Sequence, residues 1–506
     1  MAGFPLSGID PTDPTPGLVR EFKFNQGPNG GAAAERKVVL LTLKASSGSA
    51  TLDKVTDAIS DEEDAIDKMG YHSLGYLMYK WYTKVDPLAT VHLLPVTAGS
   101  GSATVDFTFA TTSTGSSAVL VSCLGEVIQV GVASGDTAAT VATAVIASVN
   151  QQLHWPIVAS AGAAGVVTIT AAIAGTELDH FLNFTRMSFS KTVAMTVTKG
   201  AVTGGSTASN QASALADLIN YSFAYHVNYK TSTSALATGD NGLGDHIAQV
   251  ISDAAPARGK EQRAFVGLVG TQAQATTVAT SAGANSVYAM FWHAEDNDWH
   301  PALLASRCVA ILRSQEVAHP GASLVDYGLK DGQVLGIPDP FDKNDRPSYT
   351  EIKADLNNGV TPIAFLSNGT PYIVRHVTSK SLTNSVNDYR ARSGHIPSVV
   401  FYAWDIVEGE YRAQAQMFVA NDPLEGEKPL SNVTYPRDVK AIFFKVIDDL
   451  ISNPGGPILD PSYRQEMKDS VEVVRLVDGI SARWRPIAVK HNNKGQFLIE
   501  ESSESV

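Results

Sequence analysis

Lys37-Val38-Val39-Leu40-Leu41-Thr42-Leu43 is a lysine followed by an apolar run broken by one hydroxyl. A run this short reads as a buried strand. Working outward, Asp61 to Trp81 predicts a helix, with Ile66, Met69, Leu74 and Leu77 at helical spacing. Thr90-Val91-His92-Leu93-Leu94-Pro95-Val96 predicts the next strand. Strand, helix, strand opens an α/β layer.

The same alternation resumes far downstream. Ala212 to Tyr229 predicts a helix with Leu215, Leu218 and Ile219 inward, and Pro301 to Gln315 predicts another. Strands are expected at Arg263–Val269, Ser286–Trp292 and Pro362–Leu366. A doubly wound sheet is the natural architecture for this order.

Between the two halves the composition changes. From Gly99-Ser100-Gly101-Ser102 to about Gly205 the chain is dominated by Ala, Thr, Val, Ser and Gly. Val105–Phe109, Val119–Val121, Val127–Val130, Val166–Thr170 and Val193–Val197 read as strands at sandwich spacing. One helix, about Thr137 to Leu153, interrupts them with Val141, Val145 and Val149 on one face. Residues 98–203 therefore read as an inserted, mostly β domain, with Gly99–Gly101 and Gly204-Gly205 as its hinges.

The two ends have their own character. Pro5, Pro11, Pro14 and Pro16 forbid a helix, and Leu18-Val19-Arg20-Glu21-Phe22-Lys23-Phe24 alternates Phe with charge as a half-buried strand does. One short strand cannot stabilise itself, so this arm must lie on something, either its own chain's sheet edge or another surface. At the other end, helices are expected at about Pro436 to Ile451 and Pro461 to Ser470. Strands at Arg485–Lys490 and Gln496–Glu500 would be joined by the turn His491-Asn492-Asn493-Lys494-Gly495, leaving an open hairpin edge.

The expected fold class is an α/β core domain with an inserted mostly-β sandwich-like domain, an α+β C-terminal domain, and extended N- and C-terminal arms. The boundaries are 1–26 for the N-terminal arm, 27–97 with 204–385 for the discontinuous α/β domain, 98–203 for the insertion, and 386–506 for the C-terminal domain with its terminal hairpin.

A length of 506 residues fits about three cores. Cys123 and Cys308 lie far apart and read as buried thiols, giving neither a disulfide framework nor a zinc spacing. The start lacks the basic and apolar regions of a signal peptide, and no run is long and apolar enough to span a membrane, so a soluble, cytosolically assembled chain is expected. A net charge of −13 argues against a general nucleic-acid surface.

Signals for catalysis are weak. Trp292-His293-Ala294-Glu295-Asp296-Asn297-Asp298-Trp299-His300 gathers two His and three acids, but with no HExxH pairing it reads as a polar, solvated loop. Asp339–Asp345 lacks the glycine and terminal glutamate of an EF-hand. The glycine trio in Gly239-Asp240-Asn241-Gly242-Leu243-Gly244 is not the dinucleotide fingerprint. His72, His226 and His319 read as isolated packing or surface residues. No nucleophile, base and orienter come together, so no enzyme, cofactor or metal site is expected.

Three stretches carry a family resemblance. Ile352-Lys353-Ala354-Asp355-Leu356-Asn357-Asn358-Gly359-Val360-Thr361-Pro362-Ile363-Ala364, with Asn368-Gly369-Thr370-Pro371-Tyr372-Ile373-Val374-Arg375-His376-Val377-Thr378-Ser379, resembles the tail sheath proteins of contractile-tailed bacteriophages. There a helix, an "N-G-V/I-T" turn and a strand pair ending in "V-R-x-V/I-T" close the α/β domain. Pro16-Gly17-Leu18-Val19-Arg20-Glu21 matches that family's "P-G-x-x-x-E", and Gly135-Asp136-Thr137-Ala138-Ala139 is similar to the helix start in its inserted domain. The last residues, including Pro486 and the long turn, follow no family string.

The resemblance implies a homo-oligomeric cylinder of stacked rings around a tail tube, which contracts to drive the tube through the host envelope. Its partners would be the tail tube protein and the baseplate and terminator proteins, and its place the virion tail. It also implies that arms of neighbouring subunits add strands to another subunit's C-terminal domain. Candidate strand-adding residues are Leu18, Val19, Phe22 and Phe24 in the first arm and Ile487, Val489, Phe497 and Ile499 in the hairpin. The helix Pro436–Ile451, through Arg437 and Lys440, is the candidate tube contact, and the insertion would face outward. The sheath of a phage-derived bacteriocin or secretion machine uses the same core and stands as the alternative. A carbohydrate- or surface-binding protein is more distant, since residues 98–203 hold Trp155 and a few Phe as their large aromatics. A metal hydrolase using His293 and His300 is a further rival.

Overall fold

The computed structural model describes residues 36–230, 232–254, 261–281, 285–295, 299–318, 346–380, 382–383, 386–387, 393–414, 418–425, 427–453, 456–476 and 480–488. The opening run forms β1 (Val38–Leu43), with every residue buried. The helix expected over Asp61 to Trp81 is two helices, α1 (Glu62–Met69) and α2 (Leu74–Thr83). Two local devices divide them. Gly70, at φ 81°, ends α1, and the Ser73 hydroxyl caps α2 by accepting from the Tyr76 N–H. β2 (Val91–Val96) follows and pairs in parallel with β1. Its outer edge is covered, because the N–H groups of Asp53, Thr56 and Ile59 donate to Pro95, Leu93 and Val91 at 2.7, 2.9 and 2.9 Å.

The next residues build two sheets of their own. The strands are β3 (Thr104–Ala110), β4 (Ser117–Cys123), β5 (Glu126–Val132), β6 (Ile157–Ala161), β7 (Val166–Ala171), β8 (Arg186–Phe189) and β9 (Thr196–Lys199). They are ordered β6-β7-β3-β9 and β5-β4-β8. Between them run α3 (Ala138–Asn150), whose buried face holds Val141, Val145 and Val149 as expected, and the short α4 (Asp179–Phe184). Strands β6 and β8 had no clear alternation to announce them, and the expected strand at Val193–Val197 sits slightly later, as β9.

The expected glycine hinges are instead a closed seam. Ser206 and Thr207 donate backbone bonds to the Ser100 carbonyl, and Thr97 pairs with Asn210 as Thr104 does with Thr203. A Cβ on Gly99 would stand 2.0 Å from the Thr207 carbonyl oxygen, and one on Gly205 would stand 2.2 Å from that of Gly175. These glycines permit close approach of backbones rather than swinging. The same hydrophobic cluster runs without a break from the β1 and β2 face into β3, β7 and α3.

After the seam comes another correction. The helix expected over Ala212 to Tyr229 is a short α5 (Ala212–Leu218) followed by a strand, β10 (Tyr225–Asn228). β10 is buried throughout and lies between β1 and β11 (Arg263–Val269), and that two-sided pairing overrides local helical spacing. α6 (Leu243–Ala254) precedes β11, and the chain continues through α7 (Gln272–Thr280), β12 (Ala289–Ala294), α8 (Pro301–Ala318), α9 (Tyr349–Asn357), β13 (Val360–Phe365) and β14 (Pro371–Ile373). The seven strands stand in the order β14-β13-β12-β11-β10-β1-β2, parallel except for the β13–β14 pair. Strand order therefore reverses between β1 and β10. Helices cover both faces: α2 and α8 pack in the first cluster, α6 and α7 in a second.

A third cluster belongs to the C-terminal residues. Two-residue ladders occur at β15 (Leu382–Thr383) with β16 (Val386–Asn387), and at β17 (Phe418–Val419) with β18 (Val433–Thr434). The helices are α10 (His395–Gln414), α11 (Pro436–Ile451) and α12 (Arg464–Asp469), and a hairpin follows from β19 (Glu472–Arg475) and β20 (Ile480–Arg483). That hairpin was not anticipated. The segment expected as a strand from Arg485 instead runs irregularly to Ala488, which bridges to Leu459; residues 496–500 lie outside the described residues.

Candidate functional site

In the β19–β20 hairpin every residue is half-buried or exposed. Glu472 faces Arg483, Val473 faces Ala482, Val474 faces Ser481 and Arg475 faces Ile480. The first pair is an ion pair at 2.6 Å. Val473, Ile480 and Ala482 pack on the core of α11, where Trp484 meets Phe443 edge to face at 5.5 Å. One face is thus supported. Neither outer edge has a strand partner among the described residues, so backbone donors and acceptors are presented on both sides.

Of the strand-adding residues read from sequence, Leu18, Val19, Phe22, Phe24, Val489, Phe497 and Ile499 lie outside the described residues. Ile487 is half-buried on the third cluster. Its carbonyl accepts from the Asp460 N–H at 2.8 Å, and its own N–H points at Met467 Sδ, 3.2 Å away. Its backbone is engaged within the chain. Arg437 and Lys440 are exposed in the opening turns of α11. The Arg437 guanidinium lies over the Tyr435 ring at 5.3 Å, and Lys440 Nζ over Phe444 at 5.6 Å. The Arg437 guanidinium also lies 3.7 Å from the Asp438 carboxylate in the same turn.

The two-histidine loop is not the solvated connector expected. His293 is buried, with Nδ1 2.6 Å from Asp355 Oδ2 and Nε2 2.8 Å from the Gly270 carbonyl. Burial pushes its pKa down, but the bond to Asp355 and that residue's charge outweigh it and raise the pKa above the usual value. His300 is also buried. It donates to the Glu177 carbonyl at 2.8 Å and accepts from Ala302 N–H at 3.1 Å, and burial pushes it down to about 4. The two histidines are committed to different partners. Among the described residues no group of three His, Cys, Asp or Glu can hold a metal.

Other expected positions resolve similarly. In the glycine-rich loop before α6, the Asp240 carboxylate accepts from Gly242 and Gly244 N–H at 2.7 and 3.1 Å, and Asp245 accepts from Gly239 and Asn241 at 2.5 and 2.8 Å. The chain's own carboxylates fill the place a phosphate would take. His226 is not isolated: it stacks on His246, which in turn meets Asn228 Nδ2 at 2.9 Å. His72 joins the insertion to the core, Nδ1 lying 2.7 Å from the Trp155 carbonyl. His319 lies outside the described residues. Cys123 and Cys308 are buried thiols in no disulfide.

In doubly wound sheets ligands enter where strand order reverses. Here a cavity of about 170 Å³ lies at the carboxyl end of β10, lined by Thr176, Glu177, His180, Tyr229, Lys230 and His300. Around it Lys230 Nζ donates to the Ser209 carbonyl at 2.5 Å and Glu177 Oε1 accepts from Ser209 N–H at 2.7 Å, while Glu177 Oε2 is buried without a hydrogen-bond partner. The insertion supplies one wall of this crevice through Thr176, Glu177 and His180.

At the opposite, amino ends of β1, β10 and β11 lies an ionic cluster that the sequence reading missed. Glu316 of α8 receives Arg263 on both oxygens, at 3.0 and 2.7 Å, together with the Tyr225 and Ser398 hydroxyls. Arg36 Nη1 lies 3.3 Å from the same carboxylate, and its Nη2 is 3.9 Å from Asp405 of α10. Burial alone would raise the Glu316 pKa, yet Arg263 and then Arg36 bring it down to about 2. The available sequence signal was charge inside otherwise apolar elements: Arg263 opens a buried strand, and Glu316 sits near the end of a buried helix.

No protein-family model and no curated protein matches the sequence. Solved structures similar to it include the following three. A sheath tail protein from Listeria innocua is 13% identical, covering 91% of this chain and 97% of its own, with a TM-score of 0.44. One from Desulfitobacterium hafniense is 13% identical over 94% and 100%, with a TM-score of 0.45. A chain of the anti-feeding prophage baseplate is 9% identical over 98% and 100%, with a TM-score of 0.47.

Proposed function

We propose that this chain is the structural subunit of a contractile tail sheath, polymerising around a tail tube and contracting to drive it through a host envelope. The observation that carries this reading is the β19–β20 hairpin, a supported sheet whose two edges have no strand partner among the described residues. The chain also supplies strands in search of an edge: Leu18–Phe24 and the residues beyond Ala488 have the alternation of half-buried strands. Added strands gain backbone hydrogen bonds, and alternate side chains set their register. Head-to-tail contacts of this kind do not close on a two-fold and so generate rings and helices.

The family motifs support the same reading, and they fall where a structural closure is needed. Tyr349–Asn357 is a helix, Gly359 turns at φ 77°, and β13 and β14 form the antiparallel pair at the sheet edge. In this reading residues 27–97 with 204–385 form the wall of the cylinder, 98–203 its outer surface, and 386–506 the inner part bearing the hairpin. Arg437 and Lys440 face the tube. Contraction needs no cofactor, since a metastable packing of subunits relaxes to one that buries more surface. The subunit assembles in the host cytoplasm, meets the tube, baseplate and terminator proteins, and ends in the virion tail.

Deleting residues 1–24 tests the arm. The truncated chain is expected to fold, with a far-ultraviolet spectrum like that of the full chain, yet to form no polymers. Polymers of normal length from the truncated chain would overturn the strand-addition reading.

A further inference from the structure

We propose that Arg36 is the anchor of the N-terminal arm, coupling the root of β1 to α10 of the C-terminal unit through Glu316 and Asp405. Only the load on the arm rests on the sheath reading; the coupling is a property of the single subunit.

Arg36 is separated from β1 by Lys37 alone and directly follows the Pro- and Gly-rich first 35 residues. Its side chain is 13% exposed, an unusual place for a guanidinium unless it is paired. One nitrogen reaches Glu316 and the other faces Asp405, at 3.3 and 3.9 Å. Its backbone is held as well, since Arg313 Nε donates to the Arg36 carbonyl at 2.8 Å while Arg313 Nη1 meets Asp86 at 2.6 Å. Glu316 is itself fixed by Arg263, Tyr225 and Ser398.

The cluster therefore joins four parts of the fold at one carboxylate: the start of β1, the starts of β10 and β11, the last turns of α8, and α10. Two cations, Arg36 and Arg263, stand against two anions, Glu316 and Asp405. Removing Arg36 takes one of two guanidiniums from the buried Glu316 carboxylate and breaks the contact to Asp405, and members of such a set respond together. A pull on the residues before Arg36 meets this cluster before it meets the hydrogen bonds of β1. The pull is passed to α8 and α10, and so toward the unit that bears the β19–β20 hairpin. Both attachment points of the proposed mesh are thereby mechanically continuous inside one subunit.

Hydrogen exchange on the full chain tests the coupling. Arg36→Met is expected to speed exchange in residues 37–43 and also in 395–414 by about tenfold, with 104–132 unchanged. Unchanged exchange in 395–414 would overturn the proposal. Asp405→Asn guards against an unfolded first variant, because it removes only the Arg36–Asp405 contact and leaves Arg263–Glu316 and Ser398–Glu316 in place. It is expected to speed exchange in 37–43, and no change there would equally overturn the anchor. Neither readout needs polymers. A chain that fails to assemble would contradict the sheath reading while the exchange result still decides the coupling.

Discussion

Arg263 and Glu316 meet as parallel forks, Nη1 to Oε1 at 3.0 Å and Nη2 to Oε2 at 2.7 Å, with both side chains almost wholly removed from water. Fixed geometry and several hydrogen bonds let such a pair offset its desolvation. Glu316→Ala strips the partner from Arg263 and from Arg36 together, and about 3–5 kcal/mol of stability is expected to go. The urea midpoint measures it. A loss below about 1 kcal/mol would show that the cluster is not a stabilising centre.

Acid should weaken the fold. Burial holds His246 well below the ordinary histidine range, His300 at about 4 and His376 at about 3. The unfolded chain takes up these protons first, so stability falls as pH drops below about 6.5, the unfolded value. The decline continues until each folded pKa is passed. Glu316, lowered to about 2, adds its own loss below the ordinary glutamate range. His293 opposes the trend: its raised pKa stabilises the fold below about 6.5, and that share fades as pH rises through the folded value. Urea midpoints at several pH values should fall between neutrality and pH ~5 and fall less in His300→Gln. A flat profile would contradict the assignment.

Trp155 is fully buried where the insertion meets α1 and α2, donating to Glu126 at 3.1 Å while its carbonyl faces His72. Trp155→Ala should cost about 3–5 kcal/mol and expose residues 98–203 to limited proteolysis. An unaltered digestion pattern would mean that the insertion does not depend on this anchor.

Gly99→Ala and Gly205→Ala separate a seam from a hinge. Each new Cβ would meet a backbone oxygen, at 2.0 and 2.2 Å, so thermal unfolding should occur several degrees lower in both. Free hinges would tolerate the change, and an unchanged melting temperature would restore that reading.

The buried strands were legible because parallel strands covered on both faces need unbroken apolar runs, as in β1 and β11. β10 was not, since Tyr225–Asn228 is four residues long and owes its strand form to neighbours on either side. Gly70 and Ser73 together announce the break between α1 and α2, yet the apolar spacing runs straight through them. The sheath resemblance rests on short motifs, and the strand-addition proposal on the alternation at the two ends. The β19–β20 hairpin was hidden by Glu472, Arg475 and Arg483, charged residues that suit a strand packed on one face only. The ionic cluster was hidden for a different reason: Arg36, Arg263, Glu316 and Asp405 are scattered along the chain and meet only in the fold.

The central claim is self-assembly, and electron microscopy of the purified full-length protein at high concentration tests it most directly. Rings or hollow cylinders are the predicted result. A monodisperse monomer under those conditions would contradict it.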